Sequence, residues 1–310
     1  MEEHFITRGE GGGKLYLRRK KLSGAAEARP PVLLVHGSTL PGSIAFDLPL
    51  DGYSWMDHLA RAGRDVWSLD IRGYGFSTVD EAILSSDPPA VVADTGQALG
   101  DLADALDYIC HKRRSEQVDL IGWSWGATVS GAFASRSDQQ IRSLVLYAPQ
   151  WLRSTPSPLV TERTLGEAWR VVDPERFLDR WYLGLSPEIQ NIVTRSGWTR
   201  TLRNALESRD GKPMYVPNGS IHDIARFWMA GRPLYQPESI AVSTLVVVGT
   251  EDKDTPPDIV LELYRRLGAS RKRIELLERG THFLLFEPVR DEFFALIEGF
   301  LMEVESDENR

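Results

Sequence analysis

The segment GWSWG places Ser124 between two tryptophans and two glycines. The apolar run VDLI precedes it and the small residues of ATVSGAFA follow it, which is typical of a buried strand that turns into a closely packed helix. At such a turn the glycines let two backbones approach, and the first N–H groups of the helix favour a developing negative charge. Ser124 is therefore predicted to be a nucleophile, although Gly-x-Ser-x-Gly also arises by chance.

A nucleophilic serine needs a general base, and the base needs an acid that orients it. One histidine, His282, follows the predicted strand that ends in LLERG. Upstream, the apolar run VVVGT leads into an acidic turn with Glu251, Asp252 and Asp254. Both segments follow predicted strands, so their side chains are expected at the carboxyl edge of a parallel sheet. In open sheets of parallel strands, ligand-binding and catalytic sites form at this edge.

The elements that must position these residues alternate between strands and helices. This alternation predicts the α/β class, with a mostly parallel central sheet and helices on both of its faces. The predicted strands are KLYLRRKKL, PVLLVHG, DVWSLDIRG, VDLIGWS, IRSLVLYAP, STLVVVGT and KRIELLERG, and the predicted helices include GYSWMDHLARAG, VVADTGQALGDLADALDYICHKRR, WGATVSGAFAS, PPDIVLELYRRLG and PVRDEFFALIEGFLMEV.

Residues 150–237 break this alternation, because they read as helices and loops punctuated by proline and glycine, without buried-strand runs. The sequence therefore predicts a core domain of residues 1–149 and 238–310 and a helical cap, or lid, of residues 150–237. Five of the nine tryptophans lie in this cap, either on a cavity wall or in the cap's own core. Its eleven Arg and one Lys against nine acids favour either an anionic substrate group or a solvated helical face.

The chain resembles the α/β-hydrolase fold superfamily, in its lid-bearing branch. The resemblance covers nearly the whole chain and implies a Ser124–Asp252–His282 catalytic triad. It also implies an oxyanion hole formed by the backbone N–H groups of Ser38 and Trp125. The segments that carry it, in order along the chain, are LLVHGST (33–39), DIRGYGFS (70–77), GWSWG (122–126), GTEDKDTP (249–256) and GTHFLLFEP (280–288).

The same resemblance distinguishes between the candidate acids. The usual acid lies three residues after the glycine that ends the strand and four before a proline, and both Gly249 and Pro256 then indicate Asp252. Asp254 is the alternative acid.

The sequence also predicts where three further residues lie relative to the catalytic residues. His36 is expected to hold the oxyanion loop by hydrogen bonding, without a role in proton transfer. Phe46 is expected either on the pocket wall or in a plain surface loop. The indole of Trp125 is expected to pack beside the acyl pocket.

The resemblance implies a serine hydrolase that cleaves a carboxylic ester or lactone through an acyl-enzyme on Ser124. The Ser-Trp-Gly motif is also similar to that of prolyl iminopeptidases, but those usually carry His-Gly-Gly-Pro-Gly where this chain has HGSTLPG. Amide or peptide hydrolysis, carbon–carbon bond hydrolysis and a receptor-like ligand-binding protein on the same fold therefore remain alternatives.

Composition narrows the classes of partner. The net charge of −8 and the pI near 5.4 disfavour nucleic-acid binding. The chain has one cysteine, Cys110, no apolar leader and no run of the ~18 apolar residues that a membrane span needs, so a cytoplasmic protein is expected.

No metal site and no cofactor are expected, and RGEGGGK near the N-terminus is interpreted as a hairpin turn. The expected partner is a small ester or lactone with an apolar part, and an oligomer is possible.

Overall fold

A computed structural model describes residues 1–8, 12–22, 29–84, 90–137, 139–207 and 213–308. Ten strands lie in these ranges, eight of them in one sheet. The strands are β1 Glu2–Thr7, β2 Lys14–Lys20, β3 Val32–Val35, β4 Val66–Asp70, β5 Val118–Trp123, β6 Ile141–Tyr147, β7 Trp169–Val171, β8 Tyr215–Pro217, β9 Ser243–Gly249 and β10 Lys272–Leu277.

The large sheet has the order β1-β2-β4-β3-β5-β6-β9-β10. β1 pairs with β2, and β2 with β4, in antiparallel orientation. The five remaining neighbouring pairs of this sheet are parallel: β4 with β3, β3 with β5, β5 with β6, β6 with β9 and β9 with β10. Every residue of the central strands β3, β4, β5 and β6 is buried, as continuous apolar runs covered on both faces require. The predicted fold class is therefore confirmed.

The edge strand β1 is not apparent in the sequence pattern. Its residues are half-buried at best, because only one side of an edge strand meets the sheet. Glu2 and Glu3 lie opposite Arg19 and Arg18 of β2 and form ion pairs with them, so pairing depends on cross-strand charges rather than apolar alternation. The N–H of Arg8 donates to a backbone carbonyl across the connection, in line with the predicted hairpin, although residues 9–11 lie outside the described ranges.

Helices flank the sheet and occupy the predicted positions. One of the two longest, α4, begins at an Asp94 cap that accepts from the N–H of Gln97. It buries a stripe that includes Ala98, Leu102 and Ala105 against the core. The helices are α1 Gly42–Ala45, α2 Trp55–Arg61, α3 Glu81–Leu84, α4 Thr95–Arg113, α5 Trp125–Ala134, α6 Glu162–Gly166, α7 Pro174–Tyr182, α8 Pro187–Val193, α9 Ser196–Leu206, α10 Gly219–Asp223, α11 Pro257–Arg266 and α12 Arg290–Glu308.

Residues 150–237, called here the inserted segment, leave the sheet after β6 and return at β9, which pairs with β6. The segment contains α6 to α10 and a two-stranded antiparallel sheet of β7 and β8. The sequence did not predict this small sheet, because its strands have three residues each and mix proline and exposed positions with apolar ones. The description of the segment as purely helical is therefore incomplete.

Candidate active site

Ser124 occupies the turn between β5 and α5 in a backbone conformation that L-residues rarely adopt, with φ 58° and ψ −116°. The flanking glycines permit this turn. A Cβ on Gly122 would lie 2.4 Å from the carbonyl oxygen of Gly126, and one on Gly126 would lie 2.2 Å from the carbonyl oxygen of Val35. Both clashes are with backbone, so the GWSWG pattern is a steric requirement of this turn. Strain concentrated at one buried polar residue is typical of functional sites.

His282 and Asp252 form a buried hydrogen-bonded pair. The imidazole Nδ1 lies 2.8 Å from Oδ2 of Asp252, and both side chains are almost fully buried. Two donors from Thr255 fix the carboxylate: its N–H donates to Oδ1 at 2.7 Å, and its hydroxyl donates to Oδ2 at 2.7 Å. Asp252 is therefore held in one orientation facing the imidazole.

Asp254, the alternative acid, is oriented differently. Its carboxylate lies 3.6 Å from the guanidinium of Arg180, and its backbone carbonyl accepts from Arg153 at 3.1 Å. The geometry thus pairs His282 with Asp252, the residue chosen by motif spacing, and leaves Asp254 on the wall of the pocket that Ser124 and His282 also line.

The titration of His282 follows from this pairing. Burial opposes the charged imidazolium, but the charge of Asp252 and its hydrogen bond raise the pKa of His282 above its ordinary value of 6.5. A histidine that acts as general base must be neutral. We therefore expect kcat/KM to increase as the pH rises through this raised pKa and to be low at pH values below it. A pH profile of kcat/KM in wild type checks this expectation, and a rate that stays constant between about pH 5 and 8 would contradict it.

The loop after β3 lies directly against Ser124. A Cβ built on Gly37 would be 3.2 Å from the Cβ of Ser124 and 3.7 Å from its Oγ. On the other side, α5 begins at Trp125, so the first N–H groups of this helix have no acceptor within it. The predicted oxyanion donors, Ser38 and Trp125, thus lie on the two elements that border the nucleophile.

His36 holds this loop in the manner expected from the sequence. It is fully buried, and burial lowers its pKa to about 4, so the ring is neutral at pH 7. Its Nε2 accepts from the N–H of Ile71 at 3.1 Å, which places the ring proton on Nδ1. Nδ1 lies 2.7 Å from the carbonyl oxygen of Gly37 and donates to it.

The two tryptophans of GWSWG have different roles. The Nε1 of Trp123 donates to the carbonyl oxygen of His282 at 3.1 Å, and the hydroxyl of Tyr147 donates to the same oxygen at 2.7 Å. These two contacts hold the histidine loop over the end of β5 and β6, and the sequence analysis missed both. The expectation for the Trp125 ring is wrong: its Nε1 donates to Thr95 at 3.0 Å, and Trp123 is the tryptophan on the pocket wall.

A second anchor of the histidine loop is the fully buried Glu287. Its carboxylate accepts from the N–H of Thr281 at 3.0 Å and from Nε1 of Trp181 in α7 at 2.9 Å. Burial raises the pKa of Glu287 to about 7, and the hydrogen bonds from Thr281 and Trp181 oppose this rise. The residue before His282 is thereby tied to the inserted segment.

A narrow pocket opens above Ser124. Ser124 and His282 line it together with the Ser38 loop, and Leu159 and Phe177 of the inserted segment form its outer wall. The structure therefore brings the predicted nucleophile, base and oxyanion loop to one pocket.

A second cavity of about 650 Å³ adjoins this pocket, and the two share Thr39, Leu159, Phe177 and Arg180 on their walls. Its lining is mostly from α6, β7 and α7. Four arginines (163, 170, 176 and 180) and three acids (Glu167, Asp173 and Asp179) take part, and this near-balance gives no preference for an anionic substrate.

The structure corrects both alternatives for Phe46 and excludes one of the two alternatives for the tryptophans of the inserted segment. Phe46 is buried and packs edge-on against Trp55 in the core, so it lies neither on the pocket wall nor on the surface. The tryptophans of the inserted segment do not line the cavity, and all but Trp169 are buried. Phe177 lines both the pocket and the cavity, whereas Trp123 lines the pocket.

The described ranges contain no helix with the length and apolar character needed to cross a bilayer. Among the same residues, no group of three or more His, Cys, Asp or Glu side chains is placed to hold a metal ion.

Comparison with known proteins identifies the family and the fold. A model of the family described as serine aminopeptidase, S33, matches residues 53–289. No curated protein matches the sequence significantly.

Solved structures share the fold at low identity. A hydrolase from Pseudomonas aeruginosa PA01 has a TM-score of 0.67 and 19% identity, over 97% of each chain. The enol-lactonase from Burkholderia xenovorans LB400 has a TM-score of 0.65 and 19% identity, over 96% of this chain and 100% of the lactonase. A thermophilic esterase from Thermogutta terrifontis has a TM-score of 0.63 and 19% identity, over 98% of this chain and 99% of the esterase. The chain belongs to the serine aminopeptidase S33 family and is a serine-type hydrolase with the α/β-hydrolase fold.

Proposed function

We propose that this protein hydrolyses a carboxylic ester or lactone through an acyl-enzyme on Ser124. The observation that carries the proposal is the 2.8 Å pair between His282 Nδ1 and Asp252 Oδ2, placed in the same pocket as a serine in a strained turn. A neutral imidazole whose Nδ1–H faces a carboxylate has Nε2 free to accept a proton.

In the proposed reaction, Nε2 of His282 takes the proton of the Ser124 hydroxyl as Oγ attacks the carbonyl carbon. The backbone N–H groups of Ser38 and Trp125 hold the oxyanion of the tetrahedral intermediate. The imidazolium, stabilised by Asp252, then gives its proton to the leaving alkoxide, and the alcohol departs. Water enters, loses a proton to Nε2, and attacks the acyl carbon. The acid leaves, and Ser124 regains its proton.

We further propose that residues 150–237 form a lid over a core of residues 1–149 and 238–310. Leu159 and Phe177 of this segment form the outer wall of the narrow pocket, and the adjoining cavity lies largely within it. A cavity of this size accommodates a group larger than acetyl, so one part of the ester is expected to extend past Phe177.

An amide-cleaving reaction, as the family description suggests, is the second candidate. A carboxylate in the pocket is what an aminopeptidase would use to bind the substrate's ammonium group, and Asp254 lies there. Arg180 already pairs with Asp254 at 3.6 Å, which disfavours this use and supports the ester. Carbon–carbon bond hydrolysis by the same triad, a receptor-like role, a cytoplasmic location and an oligomeric state stay as predictions.

A series of p-nitrophenyl esters of increasing acyl length tests the proposal against its alternatives. We expect turnover, with kcat/KM rising from acetyl to longer chains until the cavity beyond Phe177 is filled. A proline arylamide serves as the amide comparison and is expected to react far more slowly. Preferred cleavage of the arylamide would favour the peptidase, and tight binding of an ester analogue without turnover would favour the receptor-like role.

A further inference from the structure

Arg170 belongs to β7 of the inserted segment, yet its guanidinium reaches the loop beside the proposed nucleophile. Nη2 donates to the carbonyl oxygen of Ser38 and lies 3.4 Å from Oγ1 of Thr39. Nη1 donates to the carbonyl oxygen of Pro217 at 2.6 Å and to Oδ1 of Asn218 at 2.9 Å. One side chain therefore links β7, the end of β8 and the Ser38 loop.

The partners of Arg170 are unusual for a cation in such a position. Its hydrogen bonds within the described ranges go to neutral carbonyl, amide and hydroxyl oxygens rather than to a carboxylate. Burial lowers the pKa of Arg170, which reflects the cost of placing this charge away from water. A half-buried guanidinium whose planar fork donates to backbone carbonyls is suited to fixing backbone geometry.

The backbone it holds is that of a proposed oxyanion donor. The N–H of Ser38 lies in one peptide plane with the Gly37 carbonyl, and the φ and ψ angles of Ser38 join this plane to that of the Ser38 carbonyl. His36 Nδ1 holds the first plane through the carbonyl of Gly37. Arg170 holds the second through the carbonyl of Ser38, together with the hydroxyl of Tyr74 at 3.0 Å.

We propose that Arg170 is a positioning residue for the oxyanion hole, through which the inserted segment holds the Ser38 N–H in its reactive orientation. This inference rests on the proposed function. It gives the segment a role beyond covering the pocket, because Arg170 reaches the Ser38 carbonyl only while β7 and β8 are seated on the Ser38 loop. Tyr74 holds the same carbonyl from the core, so the loss of Arg170 weakens the orientation without abolishing it.

The test compares Arg170→Met with Arg195→Met in ester hydrolysis. Methionine keeps the apolar stem of Arg170 and removes its donors. We expect kcat to fall roughly 10- to 100-fold with little change in KM, somewhat less than the loss of a whole oxyanion donor. Arg195 is the matched control, since it also joins the segment to the core, through a 3.0 Å ion pair with the exposed Asp51. Arg195→Met is expected to keep wild-type kcat.

Two further readouts separate positioning from general destabilisation. Tyr74→Phe removes the second donor to the Ser38 carbonyl, so combining it with Arg170→Met is expected to cost more than the product of the single losses. Adding guanidinium ion at millimolar concentration to Arg170→Met is expected to restore part of kcat, which a misfolded variant would not show. Thermal unfolding of each variant is measured alongside.

The outcomes are distinguishable. The inference is overturned if Arg170→Met retains wild-type kcat while wild type is active, or if its loss of kcat merely follows a loss of thermal stability shared with Arg195→Met. If wild type turns over no ester, or if Ser124→Ala does so equally well in the same assay, the proposed function fails, and the inference fails with it.

Discussion

Replacing Ser124 with alanine is expected to lower kcat for ester hydrolysis by roughly 10⁴- to 10⁶-fold, by comparison with other serine hydrolases that lose their nucleophile. Ser124→Ala removes the only protein atom that bonds to the acyl carbon in the proposed reaction. What remains is the oxyanion hole and substrate binding, which act on direct attack by water. Steady-state kinetics on the preferred p-nitrophenyl ester measures the loss.

Ser130→Ala is the matched control. Ser130 is a fully buried serine on α5, the helix that follows Ser124, so the substitution removes a hydroxyl from a comparably buried site without touching the pocket. It is expected to keep kcat close to wild type. Near-full activity of Ser124→Ala, or an equal loss in both variants, would contradict the nucleophile assignment.

The second large effect is expected for Asp252→Asn, with a loss of roughly 10⁴-fold in kcat. Both carboxylate oxygens of Asp252 accept hydrogen bonds: Oδ1 from the N–H of Thr255, and Oδ2 from the Thr255 hydroxyl and His282. An asparagine has one acceptor oxygen. If that oxygen keeps the Thr255 N–H, its amide group faces Nδ1 as a donor, and the ring proton must move to Nε2. In this tautomer His282 can no longer accept the proton of Ser124.

Asp254→Asn is the matched control for the acid. It has the same chemistry two residues away, and it breaks the ion pair with Arg180 at 3.6 Å while leaving the hydrogen bond between Asp252 and His282 in place. A loss at least a hundred times smaller than that of Asp252→Asn is expected. If Asp254→Asn were the severe variant, the acid would be misassigned. The pH profile of Asp252→Asn adds a second check, because without the negative charge the pKa of His282 should fall.

The central part of the fold could be predicted from the sequence because its signals are local. Buried parallel strands are short apolar runs, and the turn at Ser124 needs glycine at two fixed positions for steric reasons. The acidic turn of Glu251, Asp252 and Asp254 and the loop of His282 follow from the same logic, since each comes after a predicted strand, whereas the choice of Asp252 within the turn came from the family resemblance. Asp252 and His282 meet because parallel strands end at one edge of the sheet.

The rest depends on contacts between residues distant in sequence. The link between Trp123 and the carbonyl of His282 spans 159 positions, and that between Arg170 and Ser38 spans 132. No pattern within a single element indicates such pairs. Phe46 was misplaced for a similar reason, since its burial against Trp55 depends on how the loop before α2 folds back on the core.

The inserted segment is the part that sequence patterns describe least well. Its strands β7 and β8 are too short for a period-two pattern, and their pairing joins positions about fifty residues apart. Its buried tryptophans could equally have lined a cavity, because periodicity identifies which side chains are apolar but not what they face. The cavity wall became apparent only once α6, β7 and α7 were placed together.

The most direct test of the central claim is to label the protein with a fluorophosphonate and locate the adduct by peptide mass spectrometry. A serine activated by His282 and Asp252 attacks the phosphorus and expels fluoride, so we predict a single adduct on Ser124. The adduct should be absent in Ser124→Ala and should form far more slowly in Asp252→Asn. An unlabelled wild-type protein, or an adduct at another residue that persists in Ser124→Ala, would contradict the assignment of Ser124 as an activated nucleophile.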